Sequence, residues 1–387
     1  MVVSQTLALF RTVCDLLAYN EKTNIYFGGV KEEVKLMIIS ATGTEAQKFL
    51  QQCVSFDGSF QVPENFRNDG YLENYKDQKI KSKDGLRINF YKKTCPSAEL
   101  IVRNITQSYV LRDPTVASQL LRMHFHDCFV RGCDGSFLLN STANSTAEMD
   151  DIMNARLGRF DVIEDIKSQV EKQCEGIVSC ADILALAARD AISFQYKRDL
   201  WRVPTGRRDG RISHASEVPL NIPSPFSYFF VQEEFFAKKG LSIHDLVVLS
   251  GAHTVGRAHC QKFTFRLYNF TGHPPDNQDP TMNKTYAEFL KTKCNSPFDM
   301  TTTVEMDQGS SRIFDNHYYI NLKQNKGLFA TDAQLLTNRT AIKIIDKLVL
   351  SNTRFLHEFG KSMEKLGRID LKTGTEGEIR RKCSLVN

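Results

Sequence analysis

Several features are missing from this 387-residue sequence, and each absence removes a class of function. No uncharged apolar run of about 18 residues occurs, so neither a membrane-spanning helix nor a membrane partner is expected. The formal charge is only +5, with Lys and Arg spread along the chain, so no nucleic-acid partner is expected either. No two cysteines are spaced CxxC, which argues against a zinc finger or ribbon. Strand-like alternation is scarce, and no repeat of about 20–50 residues is visible. Disorder is excluded for the bulk of the chain, because 41% of it is hydrophobic. By length it holds two or three domains, or one large domain with an appendage.

Cysteine is plentiful. Ten is too many for an ordinary reduced cytosolic enzyme unless they bind metal or react. Eight lie within residues 95–383, an even number, and their spacing leaves the connectivity open. Cys14 and Cys53 stand apart. Sequons occur at Asn104, Asn140, Asn144, Asn269, Asn283 and Asn338, and together with the cysteines they favour the secretory pathway. The start of the chain disagrees. MVVSQTLALFRTVCDLLAYNEK interrupts its apolar run at Arg11 and Asp15, which makes a poor signal sequence and reads as one short amphipathic helix.

Residues 1–84 and 85–387 differ in character. The first segment offers a helix near residues 5–18, a β-like run at 34–40, a helix around Ala46–Cys53 and then a polar linker. It holds no chemistry-bearing motif and is expected to be a poorly packed appendage or a gene-model artefact. From Arg87 onward the chain reads as helices joined by irregular loops, so the class is mainly α. Ser179 and Asp182 predict a capping box before SCADILALAARDAI. IHDLVVLSGAHTVGRAH and AIKIIDKLVLSNTRFLHEFGKSMEKL have helical periodicity, and Pro114 lies near a helix start.

Three clusters carry chemistry. In LRMHFHDCFVRGCDGS (121–136), Arg122 and His126 are four apart and share a helix face, with Phe125 beside them. An imidazole that moves a proton beside a guanidinium that stabilises negative charge suits heterolysis of a polar bond. From this pair alone, a surface cation and a satisfied helix histidine remain an open reading. Just beyond, Asp127, Asp134 and Ser136 supply side-chain oxygens, Gly132 and Gly135 allow sharp bends, and the carbonyls of Val130 and Gly132 complete an all-oxygen set suited to Ca²⁺. In LSGAHTVGRAHC (249–260), His253 sits in the helical run, followed by Thr254. It is a candidate metal ligand if its other nitrogen donates to a carboxylate or carbonyl, and a core histidine otherwise. His259 has no such context. In MDQGSSRIFDNHYY (306–319), Asp307, Ser310 and Asp315 offer further oxygens, and Asp332 follows in KGLFATDAQL.

These motifs, in this order, resemble the class III secretory plant peroxidases. The likeness covers residues 85–387 and runs through FYKKTCPSAE, LRMHFHDCFVRGCDGS, VSCADILALAARD, WRVPTGRRDG, LSGAHTVGRAHC, RLYNF, IFDNHYY and GEIRRKC. It implies a two-lobed, mainly helical fold with haem b between the lobes. It further implies His253 as the axial haem ligand, with Asp332 accepting its other N–H. His126 would be the acid–base catalyst, Arg122 its cationic partner, Phe125 a pocket wall and Asn154 the residue that orients His126. One Ca²⁺ would be held by Asp127, Val130, Gly132, Asp134 and Ser136 with Glu148 in its network. A second would be held by Thr254, Asp307, Ser310, Ile313 and Asp315. The implied disulfides are Cys95–Cys174, Cys128–Cys133, Cys180–Cys383 and Cys260–Cys294. Pro223 falls at the substrate entrance.

The activity expected on this ground is reduction of H₂O₂ with one-electron oxidation of small phenolic donors by a monomeric enzyme of the cell-wall space. The chain departs from the family at Met149, in a pattern that usually reads EK, and at Met153, where PN is usual before Asn154. It departs again at Arg159–Phe160, one residue short of RGF. These changes would loosen the support of the first calcium and the hold on His126. A catalytically silent, calcium-stabilised wall glycoprotein is the alternative reading. A non-haem metal site on His124 and His126 is a remote third.

Overall fold

The first long helix, α1 (Ala98–Arg112), buries Ala98, Val102, Thr106 and Val110, a stripe at spacing four that fixes the face it turns inward. The structure, a computed structural model, describes residues 85–154, 157–268, 270–271 and 278–387. The elements expected within residues 1–84, together with Cys14, Cys53 and the sequon at Asn269, lie outside these.

Asp113 and Pro114 separate α1 from α2 (Thr115–Val130). The Asp113 carboxylate accepts from the Thr115 N–H at 3.0 Å, and Pro114 has no N–H to leave unpaired. After α3 (Phe160–Gln173) comes α4 (Cys180–Ser193), every residue of which is buried. The other helices of this lobe enclose it: α1 and α2 pack on α4, and α3 packs on both α1 and α4.

The expected capping box at α4 is half formed. The Ser179 hydroxyl accepts from the Asp182 N–H at 3.1 Å. The Asp182 carboxylate does not return the bond. It accepts instead from Tyr91 Oη, Gly206 N and Arg207 Nη1 at 2.6–2.7 Å, because a buried guanidinium is the stronger partner.

The second half contains α5 (Val218–Asn221), α6 (Phe229–Lys238) and α7 (Ile243–Ser250). A two-stranded antiparallel ribbon follows, β1 (Arg257–His259) with β2 (Thr303–Glu305), pairing Ala258 with Val304. Between its strands lie α8 (Phe265–Tyr268) and α9 (Lys284–Lys293). Then come α10 (His317–Lys323), α11 (Ala330–Gln334), α12 (Arg339–Val349) and α13 (Asn352–Leu366). Helix α13 buries Phe355, Phe359, Met363 and Leu366 against α7 and α12, each worth roughly 1.5–3 kcal/mol of apolar burial.

Two long helical readings need correction. Residues 243–259 are not one helix: α7 ends at Ser250, a 3₁₀ turn covers Gly251–Thr254, and β1 follows. A Cβ at Gly251 would strike Tyr319 Oη and the Phe355 ring, and that hydroxyl already donates to Val247 and Val248 carbonyls at 3.1 Å. His253 therefore projects from a tight turn rather than a helix. The run from Ala341 to Leu366 is two helices, broken at Leu350–Ser351, where Ser351 caps α13 by accepting from Arg354 N at 3.2 Å.

One continuous core spans both halves, and a smaller one lies between the ribbon, α8 and α9 around Cys260 and Cys294. The four implied disulfides are all present: Cys95–Cys174, Cys128–Cys133, Cys180–Cys383 and Cys260–Cys294. The third joins residues 203 apart and ties the C-terminal tail to α4. Among the described residues no helix is long and apolar enough to cross a membrane.

Candidate active site

The four-residue spacing of Arg122 and His126 on α2 brings their side chains together, with Arg122 Nε donating to His126 Nε2 at 3.1 Å. The other ring nitrogen, Nδ1, lies 2.6 Å from Asn154 Oδ1. Asn154 Nδ2 donates to the Glu148 carbonyl at 2.6 Å, which fixes the amide so that Oδ1 faces the ring. His126 therefore carries its proton on Nδ1 and its lone pair on Nε2. Burial and the Arg122 charge push the His126 pKa well below its ordinary value, against the opposing pull of Asn154. A neutral, oriented base results.

Arg122 is surrounded by protein, and that burial lowers its pKa, yet its side chain is exposed to water-sized contact. Such a pairing of burial and exposure is what a side chain at the wall of a hollow shows. Phe125, half-buried, stands 5.5 Å edge-on to the His126 ring and 4.3 Å from Phe129.

His124 does not join His126. Two residues apart on one helix they diverge, and His124 Nδ1 lies 3.6 Å from Cys128 Sγ. Burial and Arg207 drive its pKa to about 3. A paired-histidine metal site is therefore ruled out at this position.

In the second half of the chain, His253 Nδ1 lies 2.8 Å from Asp332 Oδ1. Burial alone would raise the Asp332 pKa. The His253 ring, the Phe329 N–H (2.8 Å) and the Tyr318 hydroxyl (2.9 Å) more than offset this, and the carboxyl is held below its usual range. Asp332 is thus an anion, and His253 donates to it from Nδ1. The ring is set edge-on to Phe329 at 5.4 Å and Tyr318 at 6.0 Å. Among the described residues its Nε2 has no hydrogen-bond partner, and its side chain is 35% exposed.

Two groups of oxygens match the expected ion sites. Following α2, Asp127 accepts from the N–H groups of Gly135 (3.0 Å) and Phe137 (3.3 Å). Gly132 (φ +93°) permits the bend, since a Cβ there would strike the Asp370 carbonyl. Asp134, Ser136 and Glu148 are buried here too. The Ser136 hydroxyl and both Glu148 carboxylate oxygens have no hydrogen-bond partner in proper geometry. Burial, with Asp134 nearby, raises the Asp127 pKa to about 8. Burial, with Asp127 nearby, raises that of Glu148 to about 9 despite some relief from Ser136. Crowded, orphaned carboxylates of this kind suit a hard dication.

Beside His253, Thr254 Oγ1 reaches Asp307 Oδ2 (3.0 Å), Asp315 Oδ1 (3.2 Å) and the Ile313 carbonyl (3.5 Å). Ser310 Oγ meets Asp315 Oδ2 at 2.9 Å, so all five expected oxygens converge. Burial raises the Asp307 pKa.

Pro223 lies half-buried in the loop between α5 and α6, and that loop is joined to the Asp332 segment through the Thr331 N–H and Pro225 carbonyl at 3.2 Å. Of the sequons, Asn104, Asn140 and Asn144 are exposed, whereas Asn283 and Asn338 use their side chains as helix N-caps.

Sequence reasoning missed several partners. Tyr318 and Phe329 on Asp332 and His253 were unmarked, as were His317 and Asn321 on Asp307 (3.0 and 2.6 Å). So were Lys372, whose ammonium lies 2.6 Å from Asp134 Oδ2, and Lys239, which donates to the Val130 carbonyl at 3.3 Å. Of these, His317 and Tyr318 lie in IFDNHYY and Phe329 in KGLFATDAQL, whereas nothing in the sequence marked Asn321, Lys372 or Lys239.

Comparison with known proteins agrees with this geometry. A family profile described as Peroxidase matches residues 102–351. The chain is 51% identical over 304 residues to Peroxidase 3 of Arabidopsis thaliana, covering 78% of this chain and 92% of that protein. It is 48% identical to Peroxidase 39 of Arabidopsis thaliana (78% and 93% covered) and 48% identical to Peroxidase 1 of Oryza sativa subsp. japonica (77% and 92% covered). The two imidazoles, each oriented by its own partner, therefore stand in a chain that belongs to the peroxidase family, among the class III secretory plant enzymes.

Proposed function

We propose that residues 85–387 work as a haem peroxidase that reduces H₂O₂ and oxidises phenols one electron at a time: two phenols and H₂O₂ give two phenoxyl radicals and two waters. The observation that carries this reading is a pair of imidazoles, each oriented by its own partner. His126 is a neutral base with its lone pair on Nε2, and His253 has Nδ1 committed to a carboxylate and Nε2 free.

The residues present fit haem b. His253 would hold the iron through Nε2, and Asp332 would make the ring a stronger donor. Arg122 and His126, with Phe125 beside them, would supply the polar groups that meet peroxide. When bound, haem would supply two-electron chemistry toward peroxide and one-electron chemistry toward the phenolic donors.

His126 takes the proton from the nearer peroxide oxygen on Nε2 and delivers it to the farther one. A peroxide oxygen takes over the contact that Arg122 Nε now makes, and the guanidinium stabilises the negative charge on the departing oxygen. Asn154 keeps the Nδ1 proton in place so that Nε2 remains the acceptor. Tyr318 and Phe329 hold Asp332 and the His253 ring in register. Phenols approach past Pro223.

Two Ca²⁺ ions belong to the same reading: one on Asp127, Val130, Gly132, Asp134 and Ser136 with Glu148 behind it, the other on Thr254, Asp307, Ser310, Ile313 and Asp315. Support comes from the orphaned oxygens and raised carboxyls of the first set and the convergence of the second. Eight paired cysteines, and sequons on exposed loops, favour a secreted monomer acting in the cell-wall space on phenolic coupling, lignification or oxidative stress.

Refolded, calcium-replete protein incubated with hemin is expected to show a Soret band near 400 nm and to oxidise guaiacol only when peroxide is added. A colourless product refutes the haem site. A Soret band without peroxide-dependent oxidation would favour the silent wall glycoprotein, against which the presence of Arg122, His126 and His253 already counts.

A further inference from the structure

We propose that a half-open cavity between Met149, the start of α3 and the C-terminal Ser384 binds a small uncharged phenol, at a site separate from the catalytic hollow. The cavity measures about 160 Å³, and its walls are mainly apolar: Leu138, Met149, Phe160 and Ile163. An apolar cavity of about 150 Å³ is known to hold benzene, so one aromatic ring matches this volume. The Phe160 ring and the Met149 thioether favour an aromatic occupant over an aliphatic one.

Its mouth sets the polar end of the ligand. Asp161 and Glu164 line it with carboxylates. Glu164 spends one oxygen on the Ser384 N–H at 2.7 Å, and Asp161 meets only Arg159 Nε at 3.5 Å, with its own side chain 61% exposed. Asn140 and Ser384 line the cavity as well, but the two carboxylates make its mouth negative and favour a ligand that brings a donor, as a phenol hydroxyl does. A benzoate would meet like charge and is excluded.

Phe160 opens α3 directly after a turn at Arg159. That turn places Arg159 at φ +75°, a left-handed conformation normally left to glycine, held by its ion pair with Asp113 at 2.8 Å. The cavity also connects to the catalytic base. Phe160 stacks on Phe137 at 5.5 Å, and Phe137 stands edge-on to His126 at 6.1 Å, so an occupant against Phe160 is two rings away from His126. The inference depends on the peroxidase reading only in taking the donor class as ligand, since the lining residues are different.

The test uses enzymatically deglycosylated, calcium-loaded haem enzyme without peroxide, because the sequon residue Asn140 lines the cavity; it is titrated with 4-fluorophenol and followed by fluorine NMR and by the Soret band on one sample. Two binding events are expected: one that moves the Soret band and one that broadens the fluorine signal while leaving that band alone. Met149→Trp fills the cavity and should remove the silent event at least tenfold, leaving the other within twofold. Met149→Lys should act likewise by charging the wall, and it covers the case in which the tryptophan variant fails to fold. A wild-type protein with no silent event, a silent event that survives both variants, or equal silent binding of 4-fluorobenzoate overturns the proposal. Loss of the Soret band or of peroxide-driven guaiacol oxidation on the same preparation counts against the peroxidase reading instead, and the fluorine signal still judges the cavity.

Discussion

The Asp332 carboxylate holds His253 Nδ1 at 2.8 Å across 79 residues of sequence, while the Phe329 amide and the Tyr318 hydroxyl hold the carboxylate itself. A buried anion at that distance makes the imidazole electron-rich, which stabilises oxidised iron. Asp332→Asn keeps the size and removes the charge. It is expected to retain haem, to raise the iron reduction potential measured by spectroelectrochemistry, and to slow the reaction with peroxide by roughly ten- to a hundredfold. An unshifted potential would contradict this role. His253→Ala should impair haem retention or leave an altered iron spectrum.

His126 and Asn154 should separate in magnitude. Removing the base, in His126→Ala, should cut the stopped-flow rate with peroxide by about 10²–10⁴ while haem stays bound. Asn154→Val removes only the group that fixes the tautomer, so a smaller loss of roughly ten- to a hundredfold is expected. The double variant should be little worse than His126→Ala, because both act on one proton transfer. Fully multiplicative losses would show that Asn154 works independently of the ring.

Much of this was legible in the sequence because it is local. Arg122 and His126 follow from the helical repeat of α2, and the Asp127–Ser136 loop declares itself by its glycines and oxygens. The long-range links were not legible from spacing. Asp332 on His253, Asn154 on His126 and the four disulfides came only from the family resemblance, since nothing in periodicity brings residues so distant into contact. What both missed has a physical cause. Helical periodicity continues through Gly251, yet Tyr319 and Phe355 close in there, and packing overrides the local pattern. Lys372 and Lys239 belong to unrelated segments and read as surface charges until the fold sets them on Asp134 and Val130.

Calcium removal should act chiefly on stability. The ions bind the folded state alone, and at a hundred times the dissociation constant each would contribute about 2.7 kcal/mol. Excess chelator is therefore expected to lower the melting temperature by several degrees, and added Ca²⁺ should restore it. Glu148→Gln separates the metal from its ligands. It removes a buried carboxyl whose pKa is raised by burial and by Asp127, so in chelator it should melt at or above wild type, and in Ca²⁺ it should gain less. A melting temperature indifferent to chelation would count against both sites.

Acid sensitivity should have a contribution far from the haem, at Asp245. This carboxylate completes the capping box of α7 by accepting from Ser242 N at 3.0 Å, and it also receives Ser362 Oγ at 2.8 Å and Lys365 Nζ at 2.9 Å. Burial raises its pKa, but the bonds from Ser242, Lys365 and Ser362 outweigh this, and the net shift is downward. For a carboxyl depressed on folding, the stabilisation is complete above its unfolded value, near 3.9, and disappears as pH falls through the lower folded value. Asp245→Asn should therefore cost about 1.5 kcal/mol at pH 7, the low end for bonds to a charged group because Lys365 is largely exposed. In urea unfolding with disulfides intact, the gap between wild type and variant should be constant from pH 7 to about 5 and close below about 4. A gap that widens on acidification would mean that Asp245 is protonated in the folded protein and that its helix-capping role does not depend on charge.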